Sequence, residues 1–290
     1  MKLKSIIVVC DGGLANRIRP IFSALALAEL LKLPENSVKI FWKPTSVCEA
    51  TLADVLDSGL HQLGLIEFSD LGEVGYFARE GCVRNAIRLF SRTEIIELES
   101  RYQRLSIDGL PNLRNVLTDS TTRFETLIIF DNQPLDLGQD FTRLYISKLA
   151  RLKFAVNIEE EANAFLQSNK LNRFSPAVHA RSTDFNLKYG FYAQKMSQFK
   201  DQRFFFTSDS LSFEKFAKRD FEQVILRNKH YPVHKSGFLG FRSDITRRRI
   251  DVIDAAVDLK ILSSLNLSIY HPGSTYALLA KELASAYRGV

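Results

Sequence analysis

Cysteine is scarce in this 290-residue chain: Cys10, Cys48 and Cys82 make three, an odd set without a C-x-x-C pair. That excludes a disulfide framework and a structural zinc site, and it fits buried thiols in a reducing cytoplasm. Glycine and proline number only 14 and 8, too few for a collagen-like or low-complexity chain. With 46% hydrophobic and 25% charged residues, the sequence is not intrinsically disordered either. No apolar run approaches the roughly 18 residues a membrane span needs; Ile21 to Ala28 is cut at Glu29. The basic start, Met1 to Lys4, precedes only Ile6 to Cys10 before Asp11 intervenes, too short for a secretory signal core. The expected location is the cytoplasm, with any membrane contact peripheral, at the inner face of the plasma membrane.

Familiar chemical signatures are also missing. There is no G-x-G-x-x-G, G-x-x-x-x-G-K-[ST], G-x-S-x-G or H-E-x-x-H, so the usual dinucleotide, P-loop, hydrolase and zincin sites are not present. D-x-D is absent too, which counts against a carboxylate pair holding Mg²⁺ or Mn²⁺ on a diphosphate. A metal-free site has to neutralise phosphate with Arg, Lys and backbone N–H groups. We therefore expect no metal and no cofactor beyond the substrates.

What is present reads as alternating α/β. Ser5 to Cys10 is a β-branched run fit for a strand buried on both faces; Leu14 to Leu33 has helical spacing up to Pro34; Val38 to Trp42 reads as a second strand. This is a βαβ unit. Further strands are expected at 126–130, 177–180, 203–207, 223–226 and 267–270, and a helix over 157–167 with Asn157 as its cap. The length suggests two domains, 1–155 and 156–290, with the junction in 140–172. Residues 65 to 123 carry no readable pattern.

The net charge of +6 is unevenly shared: residues 170–250 hold 17 Lys or Arg against 7 Asp or Glu. Such an excess suits a polyanion or a diphosphate, although a solvated basic face is the commoner origin of such a run. RNA binding is an alternative on this ground, with affinity falling steeply in salt, but no RNP-like aromatic pair or KH-type loop accompanies it.

Four segments can carry chemistry. Asp11-Gly12-Gly13-Leu14-Ala15-Asn16-Arg17 joins the first strand to its helix, where glycine allows close backbone approach and the helix N-terminus attracts an anion. A plain tight turn with solvated arginines is the alternative. His179-Ala180-Arg181-Ser182-Thr183-Asp184 runs off a strand whose alternation puts His179 and Arg181 on one face, a guanidinium fork suited to phosphate. Phe206-Thr207-Ser208-Asp209 ends another strand, where open α/β sheets bind ligands, though Ser208 or Asp209 would also serve as a helix cap. Gly273-Ser274-Thr275 opens the last helix, where hydroxyls and N–H groups can hold a pyrophosphate.

In order and spacing these segments resemble the fucosyltransferase superfamily of nodulation fucosyltransferases, core α-1,6-fucosyltransferases and protein O-fucosyltransferases. The first resembles the family's G-G-L-x-N-R loop, the second its H-x-R-R-T-D motif and the third its A-T-D-D segment. The stretch from Asp258 to Thr275 resembles its D-x-x-x-L-S-x-x-D region ending in a hydroxyl pair. The likeness spans most of the chain but not residues 65–125.

The resemblance implies a GT-B fold, two Rossmann-like domains facing across a cleft, the first on the acceptor side and the second binding the nucleotide sugar. It implies an inverting, metal-independent transfer of fucose from GDP-fucose to a glycan or glycolipid acceptor, in bacterial surface polysaccharide synthesis. Arg181 would meet the β-phosphate and support departure of GDP. Gly12, Gly13, Asn16, Arg17, His179, Asp209, Asp258, Gly273, Ser274 and Thr275 would line the nucleotide-sugar site. A GT-B transferase with another donor is the alternative, because fold does not fix function. Ser182 departs from the pattern, standing where many relatives carry a second Arg, and no Glu follows Asp184 as acceptor base. Inversion needs a base on the acceptor side, for which Asp11 is the first choice and a turn role its competitor.

Overall fold

The computed structural model describes residues 4–10, 12–34, 36–57, 59, 64–67, 93–96, 126–129, 137–182, 188–234 and 245–289. Of the expected positions, Asp11, Cys82, Thr183 and Asp184 lie outside the described residues. The chain forms two compact units, one of residues 1–43 and 58–152, the other of 44–57 and 153–290. Residues 44–57, which the sequence reading left in the first domain, thus belong with the second. The cause is local: Leu56 bridges to Phe154, Ala155 N–H donates to Val55 O at 2.9 Å, and Glu49 N–H donates to Arg247 O at 3.1 Å.

The first unit is built on a parallel sheet of β1 (Ser5–Cys10), β2 (Val38–Trp42), β3 (Leu65–Glu67), β4 (Thr93–Ile96) and β5 (Thr126–Ile129) in the order β3-β2-β1-β5-β4. Strand β1 has neighbours on both sides, which is why five of its six residues are buried and why the sequence shows an unbroken apolar run. Helix α1 (Leu14–Leu30) is buried along most of its length and packs on β1 and on α3 (Gln139–Leu149), where Lys148 pairs with Glu29. A short helix, α2 (Leu52–Val55), is closed by a capping box between Thr51 and Asp54 and belongs to the second unit.

The second unit has a parallel sheet of β6 (Pro176–Ala180), β7 (Phe204–Ser208), β8 (Val224–Ile225) and β11 (Asn266–Tyr270), ordered β11-β6-β7-β8, plus an antiparallel pair, β9 (Val233–His234) with β10 (Ile245–Thr246). Strand alternation divides the core. Val178, Ala180, Phe204 and Phe206 pack with Tyr192 and Met196 of α5 (Tyr189–Met196) and with Phe213 and Ala217 of α6 (Leu211–Asp220). On the other face Phe205 meets Phe165 of α4 (Val156–Ser168) edge-on at 5.4 Å, and α4 packs on α7 (Arg249–Ser264), which packs on α8 (Thr275–Arg288). The N-cap of helix α4 lies two residues earlier than expected. Its N-cap is Ala155 with no side-chain cap bond; instead Glu159 accepts the Phe154 N–H at 3.2 Å, so Asn157 lies inside the helix and caps nothing.

In each sheet the chain leaves a central strand to build on one side and later returns on the other. The loop after β1 and the loop after β6 are therefore topological switch points, the position at which open α/β sheets bind ligands. Phe205 is fully buried between layers, so Phe205→Ala is expected to cost about 3–5 kcal/mol. A lowered urea midpoint followed by circular dichroism would show it; an unchanged midpoint would refute this packing.

Candidate active site

In the first unit, the loop after β1 contains Gly12 at φ 76, in the left-handed region that favours glycine. Gly13 is the N-cap of α1, and a Cβ built on it would meet nothing within 4 Å, so its place is open above the helix N-terminus. Asn16 keeps its Oδ1 buried without a hydrogen-bond partner among the described residues.

Arg17 departs from the expected ligand contact. It is 0% exposed; its Nε donates to Gly12 O at 2.9 Å, one Nη donates to Lys43 O at 2.8 Å, and the guanidinium lies 5.1 Å from the Trp42 ring centroid. The charge is turned inward and clamps the glycine loop to the end of β2. Arg17→Ala would orphan two carbonyls and is expected to lose about 3 kcal/mol, with Arg17→Lys a poor rescue because one ammonium cannot reproduce the fork. Urea unfolding checks this; native stability in Arg17→Ala would restore the direct-contact reading.

In the second unit, the carboxyl ends of β6 and β7 bring several expected residues together. Tyr192 of α5 accepts the Arg181 N–H at 3.1 Å and donates to Arg181 O at 3.2 Å. Asp209 accepts the Ser182 N–H at 2.8 Å through one oxygen and lies 3.4 Å from Arg181 Nε through the other. Ser208 Oγ donates to Ala180 O at 2.6 Å, stitching β7 to β6. The turn after β6 is thus fixed from three sides, and Arg181 is half-buried at the sheet's edge with its Nε directed to Asp209.

His179 is 4% exposed, stacked against Tyr276 with ring centroids 4.8 Å apart, and its Nδ1 has no hydrogen-bond partner among the described residues. Burial, reinforced by the nearby Arg181 charge, lowers its pKa to about 3, so the ring is neutral at pH 7. Tyr276 donates to Ala255 O at 2.5 Å and is held above its ordinary pKa by burial and by Asp258.

Asp258 also departs from expectation. It is 3% exposed and accepts hydrogen bonds from Thr207 Oγ1 at 2.6 Å, Lys229 Nζ at 2.6 Å and Arg227 Nε at 2.8 Å. Burial pushes its pKa up, but Lys229 and Arg227 outweigh burial and hold it at about 2. Its place is beneath the sheet end, within this set of protein partners. Arg227 continues to Asp254 and Glu161, both at 2.6 Å; Lys229 pairs with Glu214 at 2.8 Å, and Glu214 also accepts from Tyr231. Burial opposes the charge on Lys229, yet Asp258 and Glu214 raise its pKa. Sequence reading missed Arg227, Lys229 and Glu214. A signal existed: Asp251, Asp254 and Asp258 recur at helical spacing, and Arg227 and Lys229 follow a strand.

Of the last motif, Ser274 is the N-cap of α8, its Oγ accepting the Ala277 N–H at 3.3 Å, which leaves its O–H proton to donate elsewhere. Gly273 donates its N–H to His271 Nδ1 at 3.1 Å, and Thr275, half-buried, opens the helix. No group of three or more His, Cys, Asp or Glu among the described residues is arranged to hold a metal ion.

Comparison with known proteins gives one consistent result. No family profile matches the chain, and no curated protein sequence matches it significantly. Solved structures do. Fucosyltransferase NodZ from Bradyrhizobium aligns with a TM-score of 0.60 at 14% identity over 97% of this chain and 93% of that one. NodZ α-1,6-fucosyltransferase co-crystallised with GDP aligns at 0.62, with 14% identity over 97% and 92% of the chains. A variant of Arabidopsis thaliana FUT1 in complex with GDP aligns at 0.63, with 10% identity over 98% of this chain and 69% of that one. The chain therefore has the α/β, GT-B-like fold of these fucosyltransferases.

The His179 ring carries a pH consequence. Below about 6.5 an unfolded chain protonates this imidazole while the native state refuses the proton until about 3, so native stability falls with pH across that window. Urea midpoints of the protein and of His179→Gln, measured from pH 7 to pH 4, should converge towards acid. Parallel curves would show that His179 is not buried neutral.

Proposed function

We propose that this chain is an inverting glycosyltransferase that moves a sugar, fucose first among candidates, from a GDP-sugar to a glycan or glycolipid acceptor. The observation that carries the reading is the convergence, at the switch point of the second sheet, of a half-buried Arg181 held by Asp209 and Tyr192, a neutral His179 with an unpartnered Nδ1, and the N-terminus of α8. Its support from outside is that fucosyltransferases of this fold were crystallised with GDP or soaked with GDP-fucose.

The chemistry suits that arrangement. Breaking a sugar–phosphate bond builds charge on the departing diphosphate, and fixed donors aimed there lower the barrier without reorganising. Arg181 supplies a permanent cation, and α8 supplies amide dipoles. His179, uncharged, offers a hydrogen bond to the nucleotide rather than a proton. Asp258, Lys229 and Arg227 hold the sheet ends in register from below. In this reading the positive charge comes from the protein, and transfer persists in chelator. The acceptor-side base is Asp11, next to the glycine loop. Action on surface polysaccharide precursors in the cytoplasm completes the proposal; no helix among the described residues is long and apolar enough to cross a membrane.

Arg181→Ala tests the reading. Turnover of radiolabelled GDP-fucose should fall by about 10³-fold while the melting temperature stays put. GDP affinity by calorimetry should weaken about tenfold, the scale of one charge-assisted contact. Failure of the unaltered protein to bind GDP would overturn the proposal, and turnover of a UDP-sugar instead would change the donor.

A further inference from the structure

Helices α5 and α6 cover one face of the second sheet, and their inward residues are consumed by the core. Their outward residues are not what a solvated helix pair requires. Phe191 is 37% and Phe216 38% exposed, Leu211 is exposed beside them in chain order, and Tyr189 bridges the helices 5.4 Å from Phe216. Each exposed ring carries a cation of its own: Lys195 Nζ lies 4.3 Å above Phe191 and Arg219 lies 5.1 Å from Phe216. Lys188, Lys215 and Lys218 add exposed positive charge. Against these five cations stands one exposed carboxylate, Asp220, which is paired with Arg219. Glu214, the remaining acid of the two helices, is buried on Lys229.

On the other side of the same sheet, α4 carries Glu159, Glu160 and Glu161 and no Lys or Arg, with Glu159 paired to Lys260 of α7 and Glu161 to Arg227.

We propose that the α5–α6 face docks the chain on an anionic lipid surface. Rings with cations snorkelling over them match the boundary between headgroups and acyl chains, where the ring enters and the charge stays among phosphates. Charge complementarity selects the partner, and each basic side chain within a Debye length adds to the attraction. A single-stranded nucleic acid would instead need open ring faces for base stacking, and those of Phe191 and Phe216 are already occupied by Lys195 and Arg219. None of these side chains belongs to the carboxyl-end site, so the proposal stands apart from the transfer reaction.

Vesicle co-sedimentation of the whole protein tests it, using phosphatidylcholine alone and phosphatidylcholine mixed with phosphatidylglycerol. The protein should pellet only with the anionic vesicles and be released by salt. The combined exposed substitutions Lys195→Glu, Lys215→Glu and Lys218→Glu should weaken partitioning by at least ~100-fold. Melting temperature and GDP binding should be unchanged, which separates failure of docking from failure of the active-site reading. In a second arm, Phe191→Trp should shift its emission to the blue on anionic vesicles, against a buried Trp42 background. Absence of vesicle binding, or binding indifferent to the triple substitution, would overturn the proposal. So would retention on immobilised dextran sulfate without vesicle binding, which would assign the face to a soluble polyanion.

Discussion

The second unit depends on the pairing of one buried carboxylate with two buried cations. Asp258, on α7, receives Thr207 from β7 and Arg227 and Lys229 from the chain after β8. Any one of these charges, left alone in this interior, would cost several kcal/mol in lost hydration. Together they are compensated, and the network reaches Asp254, Glu161 and Glu214, tying α7, α4 and α6 to the strand ends. Such a network contributes less to stability than to uniqueness of position, because it is satisfied in one register only. That register is what a ligand site at the ends of β6 and β7 needs.

The electrostatic consequence reaches the surface. Asp258, Arg227 and Lys229 stay internal, and the cation at the carboxyl end of β6 is Arg181, whose partner Asp209 meets the same turn through both oxygens. Beside it His179 is uncharged because burial and Arg181 both disfavour a second cation. Positive charge on the loop and neutrality behind it are thus one arrangement. The glycine loop of the first unit follows a parallel logic, with Arg17 spent inward so that the loop backbone is held in place.

Much of the fold was legible before any coordinates. Strands buried on both faces read as unbroken apolar runs, and Ser5–Cys10 and Val38–Trp42 occur as expected. Helix ends were less legible: Ala155, not Asn157, starts α4, since Glu159 performs the capping from inside. The short strands β3 and β4 escaped detection, because three or four residues give too few alternations to establish a period. In the candidate site, Arg181 and His179 stand at a strand end as their spacing indicated.

By itself the chain's residue order determined the alternation of strand and helix, the glycine turn after β1 and the identity of the cation at the end of β6, because these depend on neighbours a few residues apart. Only tertiary structure decided which charges face a ligand and which face each other. Arg17 and Asp258 carry the same chemistry as residues that bind anions or nucleotides, yet they are claimed by Gly12 O and Lys43 O, and by Lys229 and Arg227. A charged group's role is set by which partners arrive from distant segments to replace its water, and local spacing does not encode those arrivals.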